Sequence, residues 1–374
     1  MTTPTNPAEA YGRRLARLKA AVALEKPDRT PVISWSDAFC ANHVGAPMSR
    51  FSSDLLYSAE VTARSFELLP GFDAAEMAVA EPDWVAAVFL SKMKIAGRDL
   101  REGAPWMVDE QERITEADYD VIAQRGWFGF FVPWAKEHLG VDVPSYVPQS
   151  IAARMEGTKR LAALGVPTFT IALGGGTPLE ALSAGRTMAR FVRDIHRMPD
   201  RVQAAMDATH PQMIGIIKQA IRESPVKPFS VFIGLARSSP EFWGPKLWER
   251  FVWPYMKSMI EAIVEEGVVA NLHFDSCWDR ELPRLREFPK GSCVFACDHA
   301  TDIRLVKKVL GDRMCIKGDV PSALLAFGTP DEVRSYCKAL IADMGDGFIL
   351  SPACTMPANA KLENVMAMLE AVEA

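Results

Sequence analysis

Two hydrophobic patterns alternate along this chain. Short continuous apolar runs predict buried strands, and longer stretches with apolar positions three and four apart predict helices. Residues 7–25 have helical spacing, "RTPVISW" (29–35) reads as a strand, and 51–69 are helical again. "FDAAEMAV" and "KMKIAGR" are further strand or edge candidates. "RGWFGFFVPWAKEHLG" (125–140) is aromatic-rich and interrupted by Gly and Pro, so it reads as an irregular loop, a lid or a substrate wall.

From residue 147 the alternation becomes regular. A helix (147–163) precedes the strand "PTFTIAL" (167–173) and the turn "GGGTP" (174–178), with helices at 179–197 and 199–222. Strands follow at 229–235, 268–274, 293–297, 314–318 and 347–351. Between them lie helices at 245–267, in "RELPRLREF" and "DIRLVKKVLG", at 321–327 and at 330–343, with a last one from about 361.

Strands that are apolar throughout belong in a parallel sheet covered on both faces. Each of these strands runs out into a polar or small-residue cluster: "GGGTP", "ARSSPEF", "HFDSCWD", "DHATD", "GDVPS" and "SPACTMP". In a (β/α)8 TIM barrel such clusters meet at the C-terminal face, where the chemistry sits. The expected fold is therefore one such barrel over residues 1–374, with 1–28 as an N-terminal helical extension. An open doubly wound sheet is the rival, but no GxGxxG follows a first strand.

Composition narrows the function. The chain has 374 residues, 49% of them hydrophobic, which is ample for a large core. The net charge is −5 and Lys/Arg runs are short, which argues against nucleic acid as a partner. No 18-residue apolar run and no apolar signal core is visible, so the expectation is a soluble cytoplasmic protein, a homodimer being compatible with it. The seven cysteines are an odd number without a secretion signal, which disfavours a disulfide framework. Cys293 and Cys297 sit in an apolar run and read as buried.

The chemistry concentrates in "NLHFDSCWDR" (271–280). Along an extended strand, residues two apart face one side. His273, Asp275 and Cys277 can then all face the barrel mouth, and Cys354, after the last strand, opens on the same face. One His, one Cys and an Asp or second Cys make a three-ligand zinc site with a fourth position open. Asp298 and Asp319 also follow strands directly. They suit acid–base work, support of a metal-bound histidine or a grip on substrate, while Asp302 reads as a helix cap. His299 beside Asp298 can reach the mouth, and Arg237, Ser238 and Ser239 can bind a polar group or the edge of a cofactor. His43, His138, His196 and His210 lack supporting ligands and read as structural or solvated.

The segments 234–257, 272–291, 298–333 and 347–368 resemble the uroporphyrinogen decarboxylase superfamily. The resemblance is closer to its branch of corrinoid-dependent methyltransferases and O-demethylases. It implies a TIM barrel and a zinc site of the form H-x-C with a distant Cys. His273 matches the first position and Cys354 the last, but Asp275 stands where relatives have Cys. Position favours Asp275 as third ligand; thiolate softness favours Cys277, toward which the choice leans. The resemblance also implies methyl transfer between a small methylated molecule, such as a methyl ether, or an acceptor, and a cobalt corrinoid. That corrinoid is free cobalamin or sits on a partner protein, since no cobalamin-binding segment is visible. Catalytic roles fall to Asp275, Asp298 and Asp319, and corrinoid contacts to Arg237, Ser238 and His299. The alternative is a metal-independent decarboxylase acting on an acidic substrate. The decarboxylase carries an Arg-rich N-terminal segment to hold carboxylates, whereas here no arginine lies between Arg29 and Arg50.

Overall fold

The structure, a computed structural model, describes residues 6–373, and of residues 171–174 the backbone alone. In chain order the strands are β1 (Ile33–Ser34), β2 (Ala74–Ala75), β3 (Lys92–Lys94), β4 (Met107–Asp109) and β5 (Thr170–Gly175). They continue with β6 (Ser230–Leu235), β7 (Val269–Phe274), β8 (Cys293–Cys297), β9 (Cys315–Val320) and β10 (Phe348–Pro352). Strands β5 to β10 form one parallel sheet in the order β10-β9-β8-β7-β6-β5, and β1 pairs with β2 in parallel.

Two parallel bridges close the ring, Val32 to Leu350 and Ala75 to Thr168. The Leu350 N–H donates to the Pro31 carbonyl at 2.9 Å, and the Phe169 N–H to the Ala75 carbonyl at 2.8 Å. Eight parallel strands thus make a (β/α)8 barrel, and closure leaves no free edge. The antiparallel pair β3 and β4 is a ribbon outside the ring.

The period of two along the strands builds the interior in floors. Strand β7 contributes Val269, Asn271 and His273; β9 contributes Cys315 and Lys317. Their alternates Leu272, Phe274, Ile316 and Val320 pack outward against the helices. The lowest floor is apolar, with Phe169, Val294, Cys315 and Ile349 meeting Leu18, Ala21 and Val22. The first helix, Pro7–Val22, therefore plugs the bottom of the barrel and does more than extend it. The middle floor is a buried polar knot. Glu76 accepts from Lys317 Nζ at 2.6 Å, Asn271 Nδ2 at 2.5 Å and Thr170 Oγ1 at 3.0 Å. The upper floor holds His273.

Residues 125–140 differ from the expected loop. They lie in a helix, Glu116–Leu139, that bends at Gly126 (φ 70°) and contains Pro133. Trp127, Phe130, Phe131 and Trp134 are three or four apart on its buried face. A Thr115–Asp118 capping box starts the helix. Gly and Pro hid the period. The expected helix at 179–197 is likewise two, Pro178–Arg186 and Met188–Arg197, divided at Thr187 (φ 68°).

Candidate metal centre

His273 is the fifth residue of β7 and only 4% exposed. Its ring is held between the edge of Trp35, 5.2 Å between centroids, and the face of Phe232, 5.7 Å. Nε2 is buried and completes no hydrogen bond. It faces Asp275 Oδ1 at 3.1 Å, and one ligand atom each from His273, Asp275 and Cys354 lie within 4.8 Å of one another. Burial opposes protonation of this imidazole, but Asp275 and Cys354 outweigh it and raise its pKa to about 10. The group thus collects a buried nitrogen without a partner, a carboxylate and a thiol. Those are zinc donors, and a cation there relieves the unpaired nitrogen and deprotonates the thiol.

Cys277, toward which the chemistry leaned, is not part of this group. The Asp275 N–H still donates to the Leu235 carbonyl of β6 at 2.9 Å, so extended pairing reaches that residue. Ser276 then adopts φ 68° and turns the chain away. The Cys277 N–H donates to Glu241 at 3.0 Å. Burial and the charge of Asp279 raise the thiol's pKa. Trp278, fully buried, anchors this turn by its N–H to Thr301 Oγ1 at 3.1 Å.

The other predicted residues fall into three places. Asp298 accepts from the Ser276 N–H at 2.6 Å and the Ala300 N–H at 2.8 Å, so it clamps the turn that sets Asp275. Asp319 forms a cluster on the far side of β8, where Tyr336 Oη donates to Oδ1 at 2.7 Å and His299 Nδ1 meets Oδ2 at 3.1 Å. Burial raises the Asp319 pKa, with Tyr336 and His299 opposing. His299 is half exposed and has φ 78°. Arg237 is ion-paired with Glu110 at 2.5 Å. Ser238 has no exposed surface; its N–H and that of Arg237 donate to buried Glu180 at 2.7 and 3.0 Å. The Ser238 hydroxyl lies 3.4 Å from Thr177 Oγ1. Cys293 and Cys297 are buried, and Asp302 caps helix Ile303–Leu310.

Several residues of the site carried no assignment from the sequence. Glu76 and Lys317 stand within the largely apolar runs "AAEMAV" and "MCIKG", and a charge inside such a run is the signal that marks them. Trp35, Asp37 and Tyr336 had no such signal. Trp35 and Phe232 separate the His273 group from a cavity of about 470 Å³, which Thr355, next to Cys354, also lines. Its wall includes Trp84, Trp106, Trp127 and Phe131, so the aromatic segment is a cavity wall although it is helical.

A closed (β/α)8 barrel with a candidate metal group at the C-terminal ends of its strands defines the class. The chain belongs to the uroporphyrinogen decarboxylase (URO-D) family, whose model matches residues 143–374. It is 27% identical over 133 residues to the methylcobamide:CoM methyltransferase MtbA of Methanosarcina acetivorans. That match spans 36% of this chain and 38% of the relative. A methyltransferase from Methanosarcina mazei has a similar fold, with a TM-score of 0.65 at 18% identity over 96% of this chain and 98% of that one. Among the described residues no helix is long and apolar enough to cross a membrane.

Proposed function

We propose that this protein moves a methyl group between a small molecule and a cobalt corrinoid, with zinc held by His273, Asp275 and Cys354. The observation that carries it is the buried, unpartnered His273 Nε2 facing a carboxylate and a thiol beside a cavity. The partial likeness to a methylcobamide-dependent enzyme supports the choice of reaction. Zinc so held supplies Lewis acidity, either to an ether oxygen that must leave or to a thiol that must accept as thiolate. The chain's own residues do the rest. Trp35 and Phe232 fix the imidazole plane, Asp298 holds the turn carrying Asp275, and the aromatic wall keeps water from the substrate.

The corrinoid comes from outside, as free cobalamin or on a partner protein. A cavity of about 470 Å³ suits a small molecule and not a corrin macrocycle. A methyl ether is the favoured donor, and the protein acts as a cytoplasmic single-barrel enzyme. Decarboxylation of an acidic substrate has less support, because the Arg237 guanidinium near the mouth is paired with Glu110. The test is formation of methylcobalamin from cob(I)alamin and candidate methyl donors, with zinc-loaded and chelator-treated protein. Methyl transfer that needs no cobalt, or carbon dioxide release instead, overturns this function.

A further inference from the structure

Helix Val143–Ala163 lies against the barrel where the chain enters β5, a helix-on-sheet interface of the kind that is normally apolar. This one buries three polar atoms. Arg154 and Thr158 are four apart and share one face of the helix, and Thr168 stands two residues before β5. Arg154 Nη2, Thr158 Oγ1 and Thr168 Oγ1 are shielded from solvent, and none finds a hydrogen-bond partner among the described residues. Thr168 is only 5% exposed. All three residues line one small cavity of about 20 Å³, with Met77, Ala78 and Val79 on its apolar side. Gly157 lets the helix come this close, since a Cβ there would lie 2.8 Å from the Ala78 carbonyl oxygen.

A buried polar atom without a partner destabilises the fold, and three around one space share a cause. The chemistry of the lining says what they share. The guanidinium of Arg154 only donates, whereas each threonine hydroxyl both donates and accepts. Arg154 is ion-paired through Nε with Glu81, and that carboxylate lines the same cavity, so the charge there is balanced. An anion would meet the carboxylate of Glu81, and a metal ion would meet the guanidinium. A neutral molecule that donates and accepts suits every group. A water needs about 10–15 Å³, so the space takes one. Thr170, the remaining hydroxyl on the lining, is already bonded to Glu76 and Ser230, both at 3.0 Å.

We propose that this cavity is a binding site for one internal water, held by Arg154 Nη2, Thr158 Oγ1 and Thr168 Oγ1. Three hydrogen bonds are the usual number for a buried water. Arg154 and Glu81 also line the mouth cavity, and Thr170 belongs to the polar knot around Glu76. The water therefore ties the wall of the mouth to the middle floor of the barrel and fixes the guanidinium in that wall. It requires neither the metal nor a corrinoid, so the proposal is independent of the methyl-transfer function.

The first test is a crystal structure of the full chain at a resolution that shows ordered water, with a second crystal soaked in bromide. One peak is expected within hydrogen-bond distance, about 2.7–3.2 Å, of all three atoms, and with no anomalous signal after the soak. A bromide signal at the position makes it an anion site and overturns the proposal. So does the absence of a peak, or direct hydrogen bonds among the three groups. The second test is a sign. Thr158→Val and Thr168→Val keep the side-chain shape and delete the hydroxyl. If a water is bound, each variant lowers the urea midpoint at unchanged m value, and the double variant lowers it by clearly less than the sum, because the first loss already loosens the shared molecule. If the hydroxyls are truly unpaired, deleting either one raises the midpoint, and the proposal fails. Additive losses also overturn it. Should a valine variant not fold, the density in the wild type decides alone.

Discussion

His273 Nε2 lies 3.1 Å from Asp275 Oδ1, and the two residues stand on either side of the last position of β7. Extended pairing continues to Asp275 through its hydrogen bond to Leu235, so the two-residue period puts both side chains on the barrel interior. One residue later Ser276, at φ 68°, ends that period. The choice between a carboxylate and a second thiol beside the imidazole is made by a single backbone angle.

Metal content follows from this arrangement. Protein purified without chelator is expected to hold one zinc per chain by elemental analysis. His273→Ala and Cys354→Ala lose most of it, and Asp275→Ala weakens it. Loss of a direct ligand should exceed the roughly 10- to 100-fold cost of losing an outer hydrogen-bond partner. Cys277→Ala keeps wild-type metal and activity, because its side chain is outside the group. Zinc lost from Cys277→Ala and kept in Asp275→Ala would reverse the assignment.

Asp275→Cys tests the same geometry from the other direction. The position already faces His273 Nε2, and a thiolate is a softer and stronger zinc donor than a carboxylate. The variant should retain zinc through a chelator wash that strips the wild type. A variant that binds zinc no better than Asp275→Ala shows that position 275 does not reach the metal.

The barrel was legible where burial is two-sided. Strand β8 was bounded correctly, because every residue of Cys293–Cys297 is buried and the run admits no amphipathic alternative. Strands β1 and β2 were barely visible. Each has two residues, and the ring closes there through Val32–Leu350 and Ala75–Thr168, contacts with no local signal. At the site, His273 and Cys354 followed from strand ends and from the family resemblance. The buried Glu180 that fixes the Arg237 and Ser238 N–H groups is 57 and 58 residues away, and the Glu110 that pairs with the Arg237 guanidinium is 127 residues away. A long-range partner of that kind is decided by the fold and leaves no trace in spacing.

The buried pair of the middle floor should behave as a unit. Lys317 and Glu76 are 2.6 Å apart with side chains 5% and 1% exposed. Removing one partner strands a charge in the interior, at a cost of about 3–5 kcal/mol. Lys317→Met and Glu76→Gln should each lower the unfolding free energy by that amount, read as a lower urea midpoint at unchanged m value. The double variant should lose clearly less than the sum, because no lone charge remains. Additive losses would mean that the two residues do not share one interaction.

The last expectation concerns acid stability and rests on His210, in helix Pro199–Glu223. This histidine is 9% exposed, bonds Ser258 Oγ through Nε2 at 2.6 Å and leaves Nδ1 buried without a partner. Its ring meets the face of Tyr255 edge-on at 5.2 Å between centroids. Burial lowers its pKa from 6.5 to about 4, and the charge of Asp207 opposes the shift without cancelling it. The depressed folded value fixes the sign. Between pH 6.5 and about 4 the unfolded chain takes a proton here that the folded chain refuses. Stability contributed by the neutral ring is therefore present at pH 7 and lost as pH falls through that window. A shift of this size corresponds to about 3 kcal/mol. The carboxylates also titrate in acid, so the readout is the difference between wild type and His210→Gln. That difference should be flat above pH 7, with wild type losing about 3 kcal/mol more than the variant by pH 4. Parallel urea-unfolding profiles across the window would show that His210 is not held neutral by the fold.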